Sequence, residues 1–269
     1  MAFADKPVVG CIGCGNMGGA ILRGLAERSS YTLQGFNRTP AALEPLVAKG
    51  VIAAGDMASL VRGCDVIIVA VKPYGMEAVL RQMLPCLSKD KLVVSVAAGV
   101  TLSALHDAVE GVCPVVRSMP NTPALVGAGV FALCFDDPKL AEAHRRFLVE
   151  LFGYIGMPLE MPEKYMTAFG ALVGAGPAYV FHFMDAVVQA GVTLGFPRAE
   201  AKRMVLALFE GSVKMAAASE HSLADLKNQV CSPAGITIEA VNHLERTAVR
   251  GHIVDAVLAA DARGRAMED

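Results

Sequence analysis

This sequence has no excess of positive or negative charge. Its 24 Lys and Arg stand against 26 Asp and Glu, a formal net charge of -2 over 269 residues. With no Lys/Arg run either, the electrostatic signature of a nucleic-acid binder or of a protein held on an anionic membrane is absent. Long apolar runs are missing too. None reaches the roughly 18 residues of a membrane span, and the best, Phe169 to Phe181, carries Gly170, Gly174, Gly176 and Pro177. Met1 to Pro7 lacks the apolar core of a secretory signal, which points to the cytoplasm. The seven cysteines are odd in number and scattered through apolar segments. This fits reduced, buried thiols and not a disulfide framework. Cys11 and Cys14 have redox-motif spacing, but Cys11 closes an apolar strand and Cys14 fills a variable position of a glycine turn. The six histidines show no paired helical spacing, so no metal site is expected. Repeats and low-complexity tracts are absent.

What is present is apolar surface, 54% of the residues. Without a membrane span, such an excess belongs in a core or a subunit interface, and points to an obligate oligomer. Its distribution sets the architecture. Val8–Ile12, Thr32–Phe36, Val66–Val71, Leu92–Ala97, Pro114–Met119 and Val130–Phe135 read as strands. Between and after them run helical patterns over Asn16–Arg28, from Pro40, and over Tyr74–Met83, Thr101–Val109 and Lys139–Phe152. The alternation predicts a Rossmann-type, doubly wound parallel sheet. The texture changes near Met161-Pro162, after which only helices are expected: Pro177–Leu194, Arg198–Ser219, Leu223–Gln229, Pro233–Arg246 and Gly251 onward. The first of these is apolar on nearly every face, its polar residues His182, Asp185, Gln189 and Thr193 forming one narrow stripe. A helix of that kind needs cover all round, more than a short tail supplies, so a second subunit is expected. The predicted class is therefore α/β: a Rossmann-type domain over residues 1–160, then an all-helical dimerisation and substrate-binding domain over 161–269.

The chemistry begins at Gly13-Cys14-Gly15-Asn16-Met17-Gly18, placed between a strand and a helix. In this spacing the first glycine permits the tight turn, the second admits a pyrophosphate, and the third lets helix and strand pack closely. Amides at the helix start face the phosphates. At the end of the second strand, Asn37-Arg38-Thr39 stands where an NAD-binding turn carries an acid for the 2′-hydroxyl. No acid is present, and Arg38 suits a 2′-phosphate, so NADP(H) is expected, with NADH possible. Three more segments fall at the carboxyl edge of the sheet, where ligands of open α/β sheets sit. They are Ala70-Val71-Lys72-Pro73, Ala97-Ala98-Gly99 and Arg117 to Pro123, the segment containing Met119 and Asn121; together they predict a nicotinamide pocket. In the helical half, Ser232-Pro233 reads as a helix start, whose unpaired amides suit a carboxylate, with the Thr237 hydroxyl close by. A purely structural cap explains that segment equally well.

In this order, these segments resemble the pyrroline-5-carboxylate reductase family along the whole chain. The resemblance is carried by the turn through Gly19-Ala20-Ile21, by Val69 to Pro73, Ser95 to Val100 and Met119 to Val126, and then by Gly176 to Phe181, Lys214-Met215 and Cys231 to Ile238. It implies NADPH-dependent reduction of L-1-pyrroline-5-carboxylate to L-proline by a homodimer joined through its C-terminal helices, and often assembled further. It also implies that the loop containing Ser232, Gly235 and Ile236 holds the substrate carboxylate, that Thr237 meets the ring nitrogen, and that Glu163 lies near the substrate. The chain departs from the family at Val173 and Ala175, where serines are frequent. It departs again at Ala234, where a glycine is common, at the bulky Ile236, and in Ser222 to Asp225, which lacks a proline and is one residue longer. These changes crowd the substrate loop. Two other readings remain open: reduction of a different cyclic imine carboxylate, and an NADP-binding regulatory protein without turnover. A β-hydroxyacid dehydrogenase is disfavoured, because Gly170 to Phe183 contains no lysine.

Overall fold

The computed structural model describes residues 6–268; the expectation about Met1 to Pro7 lies, apart from Lys6 and Pro7, outside them. The first half alternates strand and helix, with β3 and α3 added to the elements expected: β1 (Val9–Ile12), α1 (Asn16–Arg28), β2 (Leu33–Phe36), α2 (Glu44–Val47), β3 (Ile52–Ala53), α3 (Met57–Gly63), β4 (Val66–Val69), α4 (Met76–Met83), β5 (Leu92–Ser95), α5 (Leu102–Ala108) and β6 (Val115–Met119). Then come β7 (Gly129–Cys134), α6 (Glu142–Gly153) and β8 (Gly156–Glu160). The helix expected from Pro40 shrinks to a short 3-10 turn, Pro40–Ala42, and the single turn α2.

The strands form one sheet in the order β3-β2-β1-β4-β5-β6-β7-β8. The first six are parallel, whereas β7 runs antiparallel to β6, and β8 pairs parallel with β7. The sheet is thus mixed, which corrects the all-parallel expectation. The cause is the short connection over residues 120–128. A parallel crossover needs a dozen residues or so, whereas an antiparallel return does not.

Both faces of the sheet are covered. Ile21, Leu22 and Leu25 of α1 and Leu148, Leu151 and Phe152 of α6 pack on one face. Leu60, Leu80, Met83 and Leu105 cover the other, joined by Met166 and Phe169. Each such side chain contributes about 1.5–3 kcal/mol by leaving water. This double cover is why β4 is wholly apolar and fully buried.

His144, in the first turn of α6, is buried, and burial pushes its imidazole pKa below the usual value. Its Nδ1 accepts the Ala141 N–H at 3.3 Å, which requires the unprotonated nitrogen. The unfolded chain therefore takes up a proton first as pH falls through about 6.5, and the native state loses stability below that point. In denaturant titrations, stability should fall between pH 7 and 5, and His144→Gln should flatten that slope. An unchanged slope would rule this origin out.

Beyond β8 the chain is helical: α7 (Met166–Phe169), a π-helical turn over Gly170–Gly174, α8 (Gly176–Thr193), α9 (Arg198–Ala217), α10 (Leu223–Val230), α11 (Ile236–Arg246) and α12 (Val249–Arg265). The π turn and Pro177, in the first turn of α8, carry the helical course onward where glycine and proline were expected to break it. The stretch Glu163–Thr193 is consequently long and apolar enough, by length and composition, to cross a membrane. That corrects the reading that no segment is.

Two compact units result. Residues 6–175 with 260–268 form one, and Gly176–Ala259 the other. The first unit runs past residue 160 because Met166 and Phe169 pack into the sheet's core. Within the second unit, α8 and α9 meet closely enough that a Cβ on Gly191 would lie 3.0 Å from that of Ala201. Its buried cluster is small, consisting of Val188, Ala201 and Val205. Phe181 (63% exposed), Leu208 (57%) and Val213 (66%) stand open in this single chain.

Candidate functional site

The glycine turn has the geometry its spacing predicts. Gly13 takes a left-handed φ of 93°, and its N–H donates to the Phe36 carbonyl at 2.9 Å, tying the turn to the end of β2. A Cβ on Gly18 would sit 2.1 Å from the Gly13 carbonyl oxygen and 2.9 Å from Cys11 Sγ, so α1 can seat on β1 only with hydrogen there. A Cβ on Gly15 would meet nothing within 4 Å. That open, exposed position caps α1, whose first amides, those of Asn16 and Met17, have no partner within the helix. Asn16 is exposed, while Met17 packs against the core.

Cys14 is buried, and its Sγ donates to the carbonyls of Cys11 and Phe36, each at 3.6 Å. A hydrogen bond between the two thiols lowers the Cys14 pKa and raises that of Cys11 well above the usual value. Both are free, and they fill the space under the turn.

Asn37 has a role that motif reading missed. Its Oδ1 accepts the Cys14 N–H at 3.0 Å and its Nδ2 donates to the Thr39 carbonyl at 3.0 Å, so it braces the turn from β2. Beside it Arg38 and Thr39 are exposed, and Arg38 has no carboxylate partner among the described residues.

The other edge segments line up on successive strands. Ala70, Val71, Lys72 and Pro73 follow β4, with Lys72 exposed at the head of a short 3-10 turn. Ala97, Ala98 and Gly99 follow β5. Ala97 is buried, its N–H donating to Ser95 Oγ at 3.3 Å, Ala98 is exposed, and Gly99 has φ 72°. Met119 ends β6 with its Cε 2.8 Å from where a Gly174 Cβ would be. Asn121 is buried; its Oδ1 accepts from Val130 N–H at 2.9 Å and its Nδ2 donates to the Val173 carbonyl at 3.3 Å. Its amide therefore joins the π turn to β7. The turn, Arg38 and these three loops share the carboxyl edge of one sheet in one compact unit.

Glu163 lies in the same unit, engaged by its neighbours. Its Oε1 accepts the Leu102 N–H at 2.6 Å and the Arg117 guanidinium at 3.1 Å, and its own N–H donates to Asp136 Oδ2 at 2.8 Å. Arg117 opens the third edge segment read from the sequence, but the strand that buries it gives no local signal of its partners.

Ser232, Gly235, Ile236 and Thr237 belong to the second unit. There the expected helix start is corrected: α11 begins at Ile236 with Gly235 as its cap. Ser232 instead opens a tight turn, its carbonyl accepting the Gly235 N–H at 3.0 Å. The turn forces Ala234 to φ 57°, a conformation that costs an alanine roughly 1–2 kcal/mol. The first-turn amides of α11 are those of Ile236, Thr237 and Ile238, with Thr237 half-buried and Ile236 91% exposed.

The fold and the turn at β1 define a Rossmann-type dinucleotide-binding protein with a helical second unit. Residues 8–99 match the family model described as NADP oxidoreductase coenzyme F420-dependent, and residues 163–267 match that of pyrroline-5-carboxylate reductase dimerisation. The chain is 37% identical to a pyrroline-5-carboxylate reductase of Escherichia coli, over 93% of this chain and 94% of that one. It is 34% identical to pyrroline-5-carboxylate reductase 3 of Xenopus laevis, over 96% and 95%. A Plasmodium falciparum pyrroline carboxylate reductase with NADP bound superposes with a TM-score of 0.90 at 30% identity, covering 99% of this chain and all of that one. The chain belongs to the pyrroline-5-carboxylate reductase family.

Proposed function

We propose that this protein reduces L-1-pyrroline-5-carboxylate to L-proline with NADPH. Family membership supports the reaction. The observation in this chain that carries the cofactor reading is the turn edge itself, with space only for hydrogen at Gly18, open backbone at Gly15 and a free Arg38 where an acid would select NAD. These residues fit the dinucleotide. Gly13 to Gly18 would hold the pyrophosphate, Asn37, Arg38 and Thr39 the adenosine end, and the loops of Ala70–Pro73, Ala97–Gly99, Met119 and Asn121 the nicotinamide end. When bound, NADPH supplies a hydride for the imine carbon. Ser232, Gly235 and Ile236, with the amides of α11, would hold the substrate carboxylate, and the Thr237 hydroxyl would orient the ring nitrogen. If the imine arrives protonated, the C=N electron pair moves to nitrogen as the hydride adds, and no strong protein base is needed. Glu163 would lie near the substrate, its carboxylate steadying the start of α5.

The exposed apolar side chains of the second unit support a homodimer through the C-terminal helices, with larger assemblies built from dimers. In that arrangement the apolar length of Glu163–Thr193 is covered by protein and no membrane is involved. Seven free thiols support a cytoplasmic location.

The test is NADPH oxidation followed by absorbance with pyrroline-5-carboxylate and with its six-membered homologue. Turnover with the five-membered imine is expected. Intact NADPH binding without it would leave a regulatory protein, and preference for the larger ring would shift the substrate. Arg38→Ala should weaken NADPH at least about tenfold, the scale of a charge-assisted phosphate contact, while NADH is unaffected. Parallel losses in KM for both cofactors would remove Arg38 from the 2′-phosphate site.

A further inference from the structure

Arg117 is a buried cation for which the proposed chemistry has no use. Only 5% exposed in the middle of β6, it splits its fork between two carboxylates, Nη1 to Glu163 at 3.1 Å and Nη2 to Glu268. Each carboxylate is tied to something else. Glu163 takes the Leu102 N–H at the start of α5, directly after the Ala97–Gly99 loop. Glu268 accepts the Thr167 hydroxyl at 2.6 Å. Burial pushes the Glu268 carboxyl up, but Thr167 and Arg117 outweigh it and hold the pKa below the ordinary value. Neighbouring Met267 lies over Gly99, where a Cβ would come within 3.4 Å of it. Glu268 also lines a groove with Pro73, Met76, Gly99 and Thr101. A single side chain thus joins β6, the start of α5 and the C-terminal turn.

We propose that Arg117 is a positioning residue for the nicotinamide edge, fixing the Ala97–Gly99 loop through Glu163 and seating the C-terminal turn beside it through Glu268. The inference rests on the reading of that loop as a cofactor contact. Lysine cannot replace the fork, because one ammonium is a point charge and the two carboxylates are reached by different nitrogens.

The experiment compares Arg117→Lys, Glu268→Gln and the double variant in the full chain. Its readouts are NADPH affinity by fluorescence titration, KM and kcat, and amide exchange over residues 98–104. Each single variant should raise Kd and KM for NADPH about fivefold with kcat within about twofold, and the double should be no worse than the worse single, as coupled neighbours behave. Exchange at Leu102 should quicken in Arg117→Lys. Glu268→Gln keeps the Arg117–Glu163 pair, so it carries the test even if Arg117→Lys fails to fold. Wild-type affinity and exchange in folded Glu268→Gln, or additive losses in the double variant, would overturn the proposal. Affinity and exchange are read without the imine. A wild-type protein that binds NADPH yet does not reduce pyrroline-5-carboxylate would therefore defeat the assigned reaction and leave this test readable.

Discussion

Gly18→Ala should lose NADPH binding by two orders of magnitude or so, about 2.8 kcal/mol, and lose stability as well. Its methyl would lie 2.1 Å from the Gly13 carbonyl oxygen, 2.9 Å from Cys11 Sγ and 3.0 Å from Ala70 Cβ. Two of these neighbours are the turn itself and the loop after β4, so relief requires α1 to lift off the sheet and the turn to open. Overpacking of this kind costs about 1–3 kcal/mol, visible as a lower denaturation midpoint. Gly15→Ala provides the contrast. Nothing lies within 4 Å of its Cβ and its φ of -74° suits alanine, so folding should be untouched while the methyl occupies the approach to the pyrophosphate. Calorimetric NADPH titration separates the two. Wild-type affinity in Gly15→Ala would show that the turn does not meet the phosphates.

The second large effect is expected at Thr237. Thr237→Val keeps the shape of the side chain and the α11 amides, and removes only the hydroxyl at the second position of that helix. Loss of a single oriented donor typically costs about 10²-fold or more in turnover. A fall of that order in kcat is expected, with KM for NADPH near the wild-type value, since the residues proposed to hold the cofactor lie in the other unit. Equal losses in both quantities would assign Thr237 to folding, and an unchanged kcat would remove it from the reaction. Ala234→Gly makes a useful companion, because it should relieve the left-handed strain at φ 57° without touching that hydroxyl.

What could be read in the residues beforehand followed the strength of local signals. The run Val66–Val69 and the Gly13-x-Gly15-x-x-Gly18 spacing are dense, local statements, and β4 and the turn stand where they indicate. The strand β3 is two residues long and exposed, too short for any period to show. β8 carries Pro158, which strand patterns seldom hold, and sits at the sheet's margin, where proline is tolerated. Before α3, Asp56 and Ser59 form a capping box that was readable and overlooked. At Ser232-Pro233 the local chemistry of a helix start was present, yet a tight turn intervened and moved the cap to Gly235. The Arg117 cluster had no local signal at all. Its partners lie 46 and 151 residues away in sequence, and only the folded sheet brings them together.

That last separation bears on the order in which the protein is made. The dinucleotide-binding unit includes residues 260–268, so residues 6–175 leave the ribosome well before the unit can close. During that interval Arg117 has Glu163 as a counter-ion and lacks Glu268. Domains usually fold as they emerge, but here the nascent sheet must wait through the synthesis of an entire helical unit for its second carboxylate. A chain stopped before residue 268 keeps the Arg117–Glu163 pair and lacks both the second carboxylate and the turn that carries it.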